Sequence, residues 1–270
     1  MQTRAHTCRF RAGLAALSLL LAVSVPAGQA QKTRRAAEKK IARPPAESSF
    51  TVPFPFGEHL EYAAQWNHVV TAATLKLDVA ERRDFYGRAA WHFKALARTI
   101  DPVRMIYTLD DQFDSYTDAA TLDSLQYEAY IREQSKQEDL VVPMAASPHA
   151  ARGNAHIFLV LPGTQDPLGL MYRLRAHDWQ KEPAVEIHVF DGRSSYDVQA
   201  RRESAGVPVA VAAGNFLATR VALRVLRGGQ EVPNLKIWAS FSEDAARTPV
   251  LIEAEAPFGT VRAELTARGK

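Results

Sequence analysis

The sequence predicts a mostly β protein: an antiparallel meander forming a closed or nearly closed curved sheet or barrel, with one short helix near residues 166–175. Three observations predict it. Apolar and polar residues alternate along most of the chain beyond residue 50, as in Thr74-Leu75-Lys76-Leu77-Asp78-Val79, the pattern of a strand with one buried face. Turn-forming residues punctuate the alternation: Asp191-Gly192, Gly228-Gly229 and Pro257-Phe258-Gly259 each separate two such runs. One segment departs from period two, with Leu168, Met171 and Leu174 at helical spacing.

The first strand candidate is His59 to Trp66, followed by 74–79 and 90–98 on either side of a turn at Asp84 to Arg88. Further candidates are 112–118, 123–134, 138–144, 154–161, 184–190, 194–203, 216–226, 234–241, 248–256 and 259–267. Roughly a dozen short strands joined by close turns favour a meander that closes on itself, and closure removes exposed sheet edges. In 112–118 the alternation puts Gln112, Asp114, Tyr116 and Asp118 on one face, expected to be solvated, and Phe113, Ser115 and Thr117 on the other. In the helical segment, Asp166 is placed to be the N-cap and Pro167 the first helical residue. Arg173 and Arg175 fall near the C-terminal end, where the helix dipole favours cations. A helix this short suits a plug or cover for one mouth of a curved sheet.

The chain has 270 residues, 47% of them apolar and 23% charged, which are ordinary globular values. Its first thirty residues read as a secretory leader. Arg4, Arg9 and Arg11 precede an uncharged apolar run from Ala12 to Val25, and Gly28-Gln29-Ala30 supplies small residues for cleavage after Ala30. The run is shorter than the roughly 20 residues a membrane-spanning helix needs, so an uncleaved anchor is the weaker alternative. The single cysteine, Cys8, precedes the apolar run, so it is not placed as a lipoprotein acceptor and is expected to leave with the leader. Residues 31–49 carry six Lys or Arg against Glu38 and Glu47 and end at Pro44-Pro45 and a short polar stretch. They read as a basic disordered tether, with contact to anionic surfaces as its functional alternative to a plain spacer. The leader contributes +3 and the tether +4 to a net charge of +3, so residues 50–270 carry −4. That single β-rich domain gives no electrostatic reason to expect nucleic acid. The expected location is the periplasm, or association with the outer envelope, of a Gram-negative-type bacterium.

Three stretches carry a family resemblance. Phe56-Gly57-Glu58-His59-Leu60-Glu61-Tyr62 resembles an opening F-G-E-x-L-x-Y strand, and Asp166-Pro167-Leu168-Gly169-Leu170 with Arg175 resembles a D-P-L-S-x-L helix start followed by an arginine. Ile237-Trp238-Ala239-Ser240 through Asp244, Arg247, Pro249 and Val250, with Gly259 beyond, is similar to a terminal strand pair of the form I-W-x-S/T…D…R-x-P-V. The three are in the order and spacing of the exported bacterial family called domain of unknown function 3108. The resemblance brackets residues 54–267 and implies an exported, mostly β protein. It brings no established activity. The chain departs from the family pattern at Asn67-His68-Val69-Val70, where a glycine is frequent, and at Gly169, where serine is.

Familiar catalytic motifs are absent. There is no G-x-S-x-G elbow, no H-E-x-x-H helix, no P-loop and no G-x-G-x-x-G. The histidines beyond the leader form no H-x-H or H-x-x-x-H pair, and Asp110 to Asp118 lacks the D-x-D-x-D-G order of a calcium loop. No cofactor, metal or catalytic residue is therefore assigned. The candidate pocket residues are Glu58, Tyr62, Asp166, Arg175, Trp238 and Arg247. A cap explains Asp166, a core position is the plainer account of Trp238, and Asp244 with Arg247 is expected to lock one turn by an ion pair. Three readings follow: a non-enzymatic envelope protein binding a lipid or other apolar or amphipathic molecule, or an envelope partner, in the concavity; a scaffold with a filled core; and a carboxylate-dependent enzyme on cell-wall or lipid material.

Overall fold

The structure is a computed structural model that describes residues 52–85, 87–144, 160–257 and 259–269. The segments expected to be leader and tether, residues 1–30 and 31–49, lie outside the described residues, as does the strand candidate 154–161 except for its last two positions. The described chain is one antiparallel 13-stranded sheet with one α-helix.

Six strands come first: β1 (His59–Trp66), β2 (Val70–Phe85), β3 (Arg88–Thr99), β4 (Asp110–Asp118), β5 (Ser124–Glu133) and β6 (Lys136–Pro143). The helix α1 (Pro167–Ala176) follows. After it come β7 (Ala184–Phe190), β8 (Ser195–Val211), β9 (Gly214–Arg227), the two-residue β10 (Gln230–Glu231), β11 (Lys236–Ser242), β12 (Pro249–Ala256) and β13 (Gly259–Gly269). The lateral order is β6-β5-β4-β3-β2-β1-β13-β12-β11-β9-β8-β7, with β10 paired to β9. Each half is a meander of sequential neighbours, and β1 joins the halves by pairing with β13 over His59–Trp66.

The sheet is curved but not closed by a continuous ladder, because β6 and β7 are its two free ends. Three other contacts span this seam. Gln165, just before α1, bridges in parallel to Val189: its N–H donates to the His188 carbonyl at 2.8 Å, and its carbonyl accepts from the Phe190 N–H at 2.8 Å. Its neighbour Thr164 accepts through its carbonyl from the Ser124 N–H on β5 at 3.3 Å. On the other side, the turn after β7 reaches β6, where Arg193 pairs with Glu138. Gly192 in that turn has φ +90°, and a Cβ there would lie 2.6 Å from Val142 and 2.7 Å from Leu140. Only glycine lets the turn approach so closely. Edge strand β6 carries Lys136, Glu138 and Asp139, charges that discourage pairing with another chain.

Alternation decides the inside. Leu60, Tyr62 and Ala64 of β1, Leu75, Leu77 and Val79 of β2, and Val221, Leu223 and Val225 of β9 are all buried inward. Helix α1 fills the lumen and is buried on most of its surface. Its Leu168 and Tyr172 join a core cluster with Phe54, Phe93 and Phe113, whereas Leu174 joins a second one with Trp179, Val198 and Leu223. Tyr172 stacks on Phe93 with centroids 3.6 Å apart, and Phe54 stands edge-on to both rings and to Trp91. The space left between α1 and the β7–β9 and β11–β12 side is a slot of about 50 Å³, lined by Leu170, Met171, Val198, Leu223, Ile237 and Ile252 among others. No helix among the described residues is long and apolar enough to cross a membrane.

Two expectations are corrected here. The outward face of β4 is not solvated: Asp114, Tyr116 and Asp118 are buried along with Phe113, Ser115 and Thr117. The neighbours cover it. His92 Nε2 bonds Asp114 Oδ1 at 2.7 Å, Gln112 donates to Oδ2 at 2.6 Å, and Tyr116 lies between the rings of Phe85 and His92. Burial favours the neutral Asp114 acid, but the bonds from His92 and Gln112 outweigh it and hold its pKa below the usual range. Nor is Trp238 a core residue. It points outward from β11 and is half-buried, because Ile237 and Ala239 take the inward positions.

Outside the seam, β1 and β2 carry a titrating cluster. His59 bonds Glu61 at 3.0 Å through Nε2 and Asp78 through Nδ1, and Lys76 donates to Glu61 at 2.7 Å. Glu61 first, then Asp78, stabilise the imidazolium and raise the His59 pKa above 6.5. A histidine raised on folding contributes stability in full below its unfolded pKa and loses it as pH rises through the folded value. The stability difference between wild type and His59→Gln is therefore expected to shrink as pH is raised through that value. The effect is small, because the His59 side chain is 37% exposed and solvent screens the pair. Urea midpoints across about pH 5.5–8.5 check it, and a difference independent of pH would refute it.

Candidate functional site: a buried arginine clamp and an outer-face groove

Asp166 caps α1. Its Oδ1 accepts from the Leu168 N–H at 2.9 Å and the Gly169 N–H at 2.7 Å, satisfying two of the helix's orphan donors. Its Oδ2 accepts from the Ser115 hydroxyl at 2.5 Å and the Ser124 hydroxyl at 2.6 Å, which pins the helix start to β4 and β5. The carboxylate is fully buried. Burial raises its pKa, against the opposing pull of these four bonds. The unusual Gly169 has a local reason here: a Cβ would lie 2.7 Å from Ser124 Oγ and 2.9 Å from Asp166 Oδ2. Gly169→Ala is expected to cost about 1–3 kcal/mol through overpacking. An unaltered urea midpoint would show that the Ser124 hydroxyl yields freely.

At the other end of α1 lies Arg175, among the largest fully buried side chains of the protein. Its guanidinium forks onto Glu58, with Nη2 donating to Oε1 at 2.8 Å and Nη1 to Oε2. Nη2 also reaches the Ala246 carbonyl at 2.8 Å, and Nε is shared between the Ala246 and Arg247 carbonyls at 3.0 and 3.1 Å. The Phe54 ring packs over it at 5.5 Å. Nearby, the Tyr62 hydroxyl donates to the Pro249 carbonyl at 2.7 Å. The Arg247 guanidinium donates to the Ala176 and His177 carbonyls, both at 3.1 Å, closing the C-terminal end of the helix. The expected Asp244–Arg247 ion pair is therefore not formed. Asp244 Oδ1 instead accepts from the backbone N–H groups of Ala246 and Arg247 at 3.1 Å, fixing a turn in which Arg247 has φ +43°.

The structure thus brings Glu58, Tyr62, Arg175 and Arg247 together around one helix end. Asp166 sits at the opposite end of the helix, and Trp238 stands apart on the outer face. The polar atoms of the four grouped residues are directed at one another and at backbone carbonyls. A planar five-donor fork fits such a cluster, where an ammonium would leave carbonyls without a donor. The three separate stretches that carry the family resemblance are thereby joined by hydrogen bonds.

Trp238 leads to a different feature. A concavity of about 620 Å³ lies over the outer face of β7, β8, β9 and β11. Strand register builds it. One outward row runs Ala184–Arg201–Ala222–Trp238, and the next includes Glu186, Gln199 and Arg224. Ala200, Leu223 and Ile237, whose side chains join the inner core, line the groove between the rows. Gln199 links the second row, donating to Glu186 at 3.1 Å and accepting from Arg224 at 3.3 Å. Arg224 also pairs with Glu231 at 2.8 Å, and Lys236 with Glu255 at 3.2 Å. Arg220 packs over the Trp238 ring at 5.1 Å while held by Glu253 and by Glu203 at 3.3 Å. Of the residues predicted from sequence, Trp238 is the one that lines this groove. Arg201, Ala222 and Gln199 were not singled out. Alternation shows that they point outward, but only the register shows that they stand side by side.

The sequence pattern of DUF3108, a protein of unknown function, matches residues 61–266. The chain belongs to this family. The matched DUF3108 segment contains Tyr62, Asp166, Arg175, Trp238 and Arg247, and Glu58 lies just before it. No curated protein matches the chain. Among solved structures, it is similar to a beta-barrel-like protein of domain of unknown function DUF1849 from Brucella abortus (10% identity, 79% of this chain and 97% of that chain, TM-score 0.47). It is also similar to a candidate exported protein with a YmcC-like fold from Bacteroides fragilis (10% identity, 82% and 100%, TM-score 0.37). A third is a candidate lipoprotein from Parabacteroides distasonis (8% identity, 82% and 99%, TM-score 0.36).

Proposed function

We propose that this DUF3108 protein is an exported, non-enzymatic binding protein of the cell envelope that holds an amphipathic molecule, or a segment of an envelope partner, in the outer-face groove. The observation that carries the reading is the contrast in available space. The groove offers about 620 Å³, within the usual range for ligand sites, whereas the slot beside α1 offers about 50 Å³. At about 10–15 Å³ per water, the slot has room for roughly four water molecules and not for a lipid. Export rests on the leader pattern of residues 1–30. The basic segment 31–49 would then hold the domain near anionic surfaces. A binding role is favoured over acid–base chemistry because two groove carboxylates are engaged in ion pairs, Glu203 with Arg220 and Glu231 with Arg224.

The test is co-purification. Ala222 forms the groove floor on the outward face of β9, so Ala222→Trp fills the groove without disturbing the inward face. Wild type isolated from its native envelope is expected to release one compound class, near one per protein, into organic or aqueous extracts read by mass spectrometry. The variant is expected to lose it. Clean extracts from both proteins, or equal retention by both, would overturn the proposal. A second reading, a scaffold without a small ligand, is favoured by the filled interior, and clean extracts would move the weight to it.

A further inference from the structure

We infer that the groove ligand is an acidic saccharide, its ring packed against Trp238 and its anionic group paired with Arg201. This rests on the binding role proposed for the groove and names the ligand class. Trp238, Ala222 and Arg201 occupy one register row, so the indole and the guanidinium start from strands two inter-strand spacings apart, about 9.5 Å. Between them stands only the methyl group of Ala222. That leaves a gap with an indole at one side and a cation at the other. The indole is held in place beforehand, since Arg220 packs on it and is itself anchored by Glu203 and Glu253.

The cation is the second observation. Arg224 and Lys236 in the groove wall are each paired with a carboxylate, but the guanidinium of the exposed Arg201 has no hydrogen bond or ion pair to any described residue. An exposed guanidinium in that position presents a fork suited to a carboxylate, phosphate or sulfate group. The adjoining row decides between kinds of anion. Glu186, Gln199, Arg224 and Glu231 form a linked line of donors and acceptors. An acyl chain or a plain aromatic acid would leave that line unused. A sugar ring carries a C–H face that packs on indole, hydroxyl groups that both donate and accept, and, when acidic, an anion for Arg201.

The full exported chain, wild type and with Arg201→Ala or Trp238→Leu, would be titrated with three probes and followed by calorimetry. These are an oligogalacturonate, a sugar phosphate and a neutral galacto-oligosaccharide. Wild type is expected to prefer one or both acidic probes, with affinity falling as salt is raised. Arg201→Ala should weaken acidic-probe binding at least about tenfold and leave neutral-probe binding unchanged, as loss of one charge-assisted contact predicts. Trp238→Leu should weaken all saccharide binding, and the relative response to the first two probes distinguishes carboxylate from phosphate recognition. Equal binding of acidic and neutral probes, or acidic binding indifferent to Arg201→Ala, overturns the inference. If no probe binds while Ala222→Trp still loses a co-purifying compound, the saccharide assignment falls and the groove reading stands. If neither experiment shows an occupant, both fall.

Discussion

Replacing Arg175 with alanine is expected to destabilise the protein by about 3–5 kcal/mol, because it strands a buried carboxylate. Glu58 would lose both halves of its fork, and the carbonyls of Ala246 and Arg247 would lose their donor. For a domain of this size the melting temperature should fall on the order of 10 °C. Glu58→Gln should cost less, since a neutral amide oxygen can still accept from the guanidinium. The double variant Glu58→Leu with Arg175→Met should recover only part of the loss: an apolar pair removes the stranded charge but cannot serve the carbonyls of the 246–247 turn. Urea unfolding of wild type, Glu58→Leu, Arg175→Met and the double variant completes the cycle. Additive single effects would show that Glu58 and Arg175 are not coupled, and an Arg175→Ala midpoint equal to wild type would refute the clamp.

Asp166→Ala carries the second large effect, about 2–5 kcal/mol. An ordinary N-cap is worth about 1 kcal/mol, but here the carboxylate also accepts from two buried hydroxyls. Its removal leaves Ser115 and Ser124 without their acceptor in addition to two helix N–H groups, and each buried group left unpaired costs about 1–3 kcal/mol. Asp166→Asn keeps one oxygen for the helix amides, and its amide hydrogens can be accepted by rotated serine hydroxyls. It should therefore lose about 1 kcal/mol or less, helped by the absence of a buried charge. Far-UV circular dichroism and urea midpoints separate the two variants. Equal losses in Asp166→Ala and Asp166→Asn would mean that charge, not hydrogen-bond geometry, decides the site.

These two variants sit at opposite ends of α1, and together they describe how the lumen is filled. The helix is tied at its start to β4 and β5 and at its end to the segments around Glu58 and Arg247. Between these ties, Tyr172 and Leu174 fill the two halves of the core. A protein anchored this way has little interior to give to a ligand, which directs attention to the outer face.

Much of this was legible in the sequence where the signal is local. Strand positions follow from period-two alternation, turns from Asp191-Gly192 and Gly228-Gly229, and the helix start from Asp166-Pro167, because each depends on neighbours a few residues away. The family was legible too, through three short stretches. Their common purpose was not. Nothing local tells that Glu58, Arg175 and the Ala246–Arg247 carbonyls, separated by up to 117 residues in one pair, would meet at a single guanidinium. Alternation likewise predicted which way the β4 acids point but not that His92, Gln112 and Phe85 would bury them.

By itself, then, the sequence determined the strands, the turns, the capped helix and the family, since these are set by backbone preferences and by which face of each segment is apolar. The tertiary structure alone decided the seam between β6 and β7, the arginine clamp and the groove. All three depend on lateral strand order and register, and those are selected by contacts between distant segments that share no sequence neighbourhood. An outward alanine between an outward arginine and an outward tryptophan is unremarkable in three separate strands. It becomes the floor of a groove only when those strands lie side by side.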